Sequence, residues 1–81
     1  MPPEPITVAD AGRRLNRAPA TIHKWGNRYA ARQLGRAERR VYYDYNDLAT
    51  IDGCIRRSEN IPPTPEERDQ LREQLRTRWA A

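Results

Sequence analysis

Between Thr7 and Trp25 the chain has room for two short helices and only a few residues to join them, and the rest must fold around that pair. Thr7 has the side chain of an N-cap, and Asp10, three residues on, closes a weak capping box. Val8, Ala11, Gly12 and Leu15 then share one helix face through about residue 15. Asn16 tolerates the left-handed conformation that ends helices. Pro19 suits the first turn of a second helix, where its missing N–H costs nothing. Ile22 and Trp25 point inward from that helix, Trp25 as the anchor between the two, and Gly26 or Asn27 can end it. The segment reads as a helix-turn-helix.

The next stretch, "YAARQLGRAERRVYYDY", predicts strands over Tyr29 to Leu34 and Arg39 to Tyr43, with "GRAE" as the turn between them. Val41, Tyr42, Tyr43 and Tyr45 supply the β-branched and aromatic residues that strands favour, with Tyr42 or Tyr43 packing the hairpin's root. "AARQ" could instead prolong the second helix. Asp44 caps a third helix with Asp47 at its third position, and Leu48, Ile51 and Ile55 mark its buried face. A last helix starts strongly, with Thr64 as cap, Pro65 first and Glu67 closing the box. Its Leu71, Leu75 and Trp79 form one narrow stripe, which can fold back over the core or pair with a second copy or another protein. The order predicts a mainly α fold with a small β-hairpin: a winged helix-turn-helix followed by an extra C-terminal helix. Residues 1–5, "MPPEP", read as a flexible arm outside any ladder. Residues 6–57 are expected to form the winged helix-turn-helix domain, 58–64 a linker and 65–80 the last helix.

Charge is segregated along the chain. Residues 11–43 hold nine Lys/Arg against Glu38 alone, whereas residues 44–81 hold eight acids against six Arg. All of the net +4 therefore resides in the middle third, the pattern a polyanion-binding face needs. Hydrophobic residues make up 37% and Phe is absent, so the core must be small. No apolar stretch approaches the ~20 residues that span a bilayer. One cysteine, Cys54, and one histidine, His23, make neither a disulfide nor a zinc site. A cytoplasmic, nucleoid-associated protein without metal or cofactor is expected. No carboxylate pair or nucleophile–base set stands at useful spacing, so no enzyme is expected.

Two stretches, "ITVADAGRRLNRAPATIHKW" and "RRVYYDYNDLATID", resemble the DNA-binding domains of MerR-like regulators and phage excisionase-like proteins. The family opens its first helix after Ile-Thr, here Ile6 and Thr7, and starts its recognition helix with Ser-Pro, here Ala18 and Pro19. Its wing ends in Arg-x-Tyr before an acid-capped helix, here Arg40 with Tyr42, then Asp44 and Asp47-Leu48. The resemblance covers roughly residues 6–56. Ala18 departs from the usual Ser or Thr cap, which weakens that helix start by about 1 kcal/mol. Ala20 stands where an Arg often contacts DNA, and Asn16 replaces a turn Gly. The long coiled coil and effector domain of MerR-like regulators are missing, which favours the excisionase-like branch.

The expected partner is double-stranded DNA. Thr21, His23, Lys24, Asn27 and Arg28 face outward from the second helix, where a major groove would meet them. Arg36, Arg39 and Arg40 on the wing would grip the backbone or an adjacent minor groove. Arg13, Arg14 and Arg17, near the end of the first helix, would hold phosphates without reading sequence, and the amides after Thr7 could hold another. The reading is a sequence-preferring regulator or an excisionase-type architectural factor, with assembly on DNA through the last helix. Its rivals are the recognition domain of a phage packaging small subunit and a protein-interaction module built on the last helix.

Overall fold

The computed structural model describes residues 2–80, so Met1, part of the expected arm, lies outside it. Helix α1 spans Val8–Leu15, and Thr7 caps it: its hydroxyl accepts from the Asp10 amide at 3.3 Å. Asn16 ends it in the left-handed region, with φ 57° and ψ 49°. The chain turns over Asn16–Ala18 into α2, Pro19–Arg28. That turn needs a glycine at position 12, where a Cβ would lie 2.6 Å from the Arg17 carbonyl oxygen. Ala18 offers no side-chain cap to α2.

The sequence suggested that α2 stops at Gly26 or Asn27, but it continues through Arg28. Gly26 is there for proximity rather than termination. The Tyr43 ring and hydroxyl press against its backbone, and a Cβ would overlap them. The first hairpin strand, expected from Tyr29, begins later. Tyr29–Arg32 form a connection, β2 spans Gln33–Ala37 and β3 spans Arg40–Asp44. The turn is not "GRAE" but Glu38–Arg39, because Ala37 pairs with Arg40 and leaves a two-residue loop. Both loop residues have positive φ, 52° and 66°, as the tightest hairpin turns require.

A third strand, β1, contradicts the expectation of a free arm. Pro5–Ile6 pairs antiparallel with β3, giving the order β1-β3-β2. Proline is tolerated because the strand is at the edge and its missing amide is not needed. The residues before it are tied down too. The Glu4 carbonyl accepts from the Tyr45 amide at 2.8 Å, and the Pro2 carbonyl accepts from the Asn46 side chain at 2.9 Å.

Helix α3, Tyr45–Arg56, starts where Asp44 accepts from the Asn46 amide at 3.1 Å. It supplies Leu48 and Ile51 to a core completed by Ile6, Ala11, Leu15, Ile22, Trp25, Ala31 and Tyr43. Tyr43 is thus the root residue of the hairpin, and Tyr42 stays half-buried.

Helix α4, Pro65–Ala80, folds back onto α3, but not chiefly through its apolar stripe. Leu71 and Leu75 are half-buried and Trp79 is 84% exposed. The anchor is Arg68, fully buried against a fully buried Asp47, with Nε–Oδ1 at 2.5 Å and Nη2–Oδ2 at 2.8 Å. The linker shares in this, since Ile61 packs on the core and the Pro62 carbonyl accepts from Arg68 at 2.9 Å. Among the described residues, four helices and a three-stranded antiparallel sheet thus make one mainly helical domain.

Candidate nucleic-acid interface

Three elements frame a concave surface of about 610 Å³: the start of α1, the middle of α2 and the hairpin. Arg13, His23, Arg36, Arg39 and Arg40 line it, with Val41 and Tyr43 as its apolar floor. Residues far apart in sequence converge there because Tyr43 seats β3 on α2 at Gly26. The first amides of α1 open onto the same surface through Thr7, Val8 and Ala9. The Asp10 carboxylate of that first turn lines the surface too and offsets part of the positive end of the helix.

Beside the concavity, α2 presents His23, Lys24, Asn27 and Arg28 to solvent, with Thr21 half-buried. The Arg28 guanidinium lies 5.6 Å from the Tyr29 ring centroid. Among the described residues, Lys24, Arg28, Arg36, Arg39 and Arg40 take part in no ion pair with an Asp or Glu. All five are exposed, although Asp10 lines the same concave surface and Glu38 adjoins Arg39 in the hairpin turn.

The arginines of α1 and the following turn divide differently from the expectation. Arg13 reaches the concavity, although it also pairs with Asp10 in an exposed contact. Arg14 does not. It bonds Glu4 at 2.8 Å and stacks on the Tyr45 ring at 3.7 Å, on the side of the edge strand. The Glu4 bond raises the Arg14 pKa above its usual value, against a smaller cost of burial. Arg17 is drawn inward as well: its Nε donates to the buried Asp52 at 2.8 Å, and it lies over Trp25 at 5.6 Å. Both pair with acids distant in the sequence that come close only in three dimensions.

Sequence reasoning missed the use made of Asp47 and Arg68. Asp47 reads as an ordinary first-turn acid, and its partner sits 21 residues away on a helix that looks solvated. No local pattern signals that pairing. Cys54 is fully buried, and burial raises its thiol pKa. Among the described residues, no group of three metal-ligating side chains comes together, and no helix is long and apolar enough to cross a membrane.

No protein-family model, no curated protein and no solved structure matches this chain.

Proposed function

We propose that the chain is a sequence-preferring double-stranded DNA-binding protein of the winged helix-turn-helix type. In this reading α2 enters the major groove and the β2–β3 hairpin is the wing. One observation carries it: the hairpin places Arg36, Arg39 and Arg40, none of them in an ion pair among the described residues, on one concave surface with His23 of α2, and the same helix exposes Lys24, Asn27 and Arg28. A face of like charges raises the energy of the free protein, and phosphates relieve it with release of counterions. His23, Lys24, Asn27 and Arg28 take the base edges and flanking phosphates, Asn27 suiting adenine and Arg28 guanine. Arg36, Arg39 and Arg40 take the backbone or minor groove, and Arg13 with the α1 amides takes a phosphate.

The biological task in this proposal is transcription control or an excisionase-type architectural role, as the MerR-like and excisionase-like resemblance implies. The exposed Trp79 favours a second reading, in which the end of α4 docks another protein or a second copy.

Fluorescence anisotropy with a duplex from upstream of its own gene and a scrambled duplex, at about 50 and 200 mM salt, tests the proposal. Neutralising about four to six phosphates gives a log–log salt slope near −4 to −5. A steep slope with preference for the native duplex supports it. Failure to bind either duplex at low salt sinks it and leaves the Trp79 reading. Truncation after residue 60 would not separate the two, because it strands Asp47 without its buried partner.

A further inference from the structure

The connection between α2 and β2 is held by α4, and α4 does not line the concave surface. Asp47 on α3 accepts from the Arg32 backbone amide at 2.8 Å, one residue before β2 begins. The same carboxylate is gripped at both oxygens by Arg68 of α4. Arg68 also donates to the Ala30 carbonyl at 3.4 Å, at the point where the chain leaves α2 with φ 50°. From outside, Asp69 of α4 pairs with the Arg32 guanidinium at 2.8 Å. Arg72, which also contacts Asp69, bonds Thr50 of α3 at 2.8 Å. The segment that sets the angle between helix and hairpin thus touches α4 at Ala30 and Arg32.

From this clamp we infer that Arg68 and Asp69 are positioning residues for DNA binding: through Asp47 and Arg32 they hold the β2 end of the hairpin, adding to the contact of Tyr43 with Gly26 on β3, so that hairpin and α2 reach one duplex together. The inference rests on the DNA-binding reading and adds a role for a helix that need not touch DNA. A hairpin hinged at Ala30–Arg32 with its clamp loosened keeps its arginines but presents them at a varying angle. Such a hairpin would give up its hold on phosphates, while α2 would keep its own.

Two variants of the full chain test this. Arg68→Lys keeps a charge near Asp47 but has no fork to reach both carboxylate oxygens and the Ala30 carbonyl. Asp69→Ala removes the partly exposed carboxylate that Arg32 and Arg72 share and leaves the buried Asp47–Arg68 bond in place, so it should fold even if the first variant does not. Each is compared with the parent under conditions where circular dichroism shows full folding. The expected result is a salt slope smaller by about 2 and affinity at low salt down at least about tenfold for Arg68→Lys, with a lesser change for Asp69→Ala.

A loss that acts through the hairpin must vanish where the hairpin is already neutralised. Adding either clamp variant to Arg36→Ala/Arg39→Ala/Arg40→Ala should therefore cost no further affinity, whereas an unrelated loss would add in full. Unchanged slopes, or full additivity, overturn the inference. Amide exchange of Arg32 and the hairpin gives a readout that needs no DNA. Protection falls in the variants if the clamp holds the hairpin, and unchanged protection overturns the inference independently. A parent protein that binds no duplex, yet loses this protection in the variants, would sink the DNA reading and leave the clamp intact.

Discussion

The two sides of this molecule use the same side chain for opposite ends. Around α2 and the hairpin, Lys24, Arg28, Arg36, Arg39 and Arg40 stand exposed and, among the described residues, in no ion pair. On the side of α3 and α4, Arg17 and Arg56 share Asp52, Arg32 has Asp69, and Arg68 has Asp47. On the first side the charge is left for a partner, and removing it should hardly trouble the fold. On the second it is consumed by the fold, and removing it should hardly matter to a polyanion except through structure. Arginine count alone says nothing about which is which; the acids decide it, and eight of the eleven lie after residue 43.

The sharpest way to break this contrast is one alanine on each side. Arg68→Ala leaves a buried carboxylate without its partner, which costs about 3–5 kcal/mol. That equals the whole stability expected of so small a domain, about 3–5 kcal/mol, so urea and thermal melts should find the variant largely unfolded at 25 °C. Arg36→Ala should melt within about 0.5 kcal/mol of the parent. Comparable destabilisation by both would refute the division.

A smaller effect is expected where the two sides join. Gly26→Ala drives a methyl into the Tyr43 ring, an overpacking that costs about 1–3 kcal/mol in urea melts. A neutral result would mean that α2 is not seated on β3 as described.

Arg39→Gly should separate stability from binding by sign. Arg39 sits at φ 66°, a region that costs an L-residue about 1–2 kcal/mol and glycine almost nothing. The variant should melt later by roughly that amount, less the entropy glycine adds to the unfolded chain. In the DNA-binding reading it should also bind duplex more weakly, with a salt slope lower by about 1. Tighter binding would contradict the role given to the hairpin tip.

The mildest test uses acid. The bond from Arg32, with the charges of Arg32, Arg72 and Arg68 behind it, holds the Asp69 carboxyl below its ordinary value, against a smaller desolvation effect. A carboxyl with a lowered folded pKa stabilises the protein above its unfolded value, about 3.9 for Asp, and loses that contribution as pH falls through the folded value. Stability in urea should therefore fall as pH drops below about 5, and Asp69→Asn should shrink that fall. An identical pH profile in the variant would remove Asp69 from the clamp.

Local chemistry was the readable part of this fold. Thr7, Asn16, Pro19, Asp44 and Thr64 each act within a few residues of themselves, and each marks a helix boundary in the structure. The outward set on α2 was readable for the same reason, since Ile22 and Trp25 fix which face is buried. What escaped depends on partners brought together by the fold. Pro5 looks unfit for a ladder until β3 offers an edge that does not need its amide. Gly35 looks like a turn until the Ala37–Arg40 pairing puts the turn at two residues with side chains. The pairing of Arg14 with Glu4 and of Arg17 with Asp52 was likewise out of reach, since those acids stand 10 and 35 residues away.

The fully buried bond between Asp47 and Arg68 also bears on how such a chain is inherited. Neither residue can change alone without leaving a charge stranded in the interior, so the two positions should vary as a couple. A library randomised at both codons, selected only for folded product, should return Asp with Arg or two apolar residues of similar combined volume, and seldom a mixture. That covariation, 21 residues apart, is a signature by which kindred chains could be sorted even where the rest of their sequence has drifted.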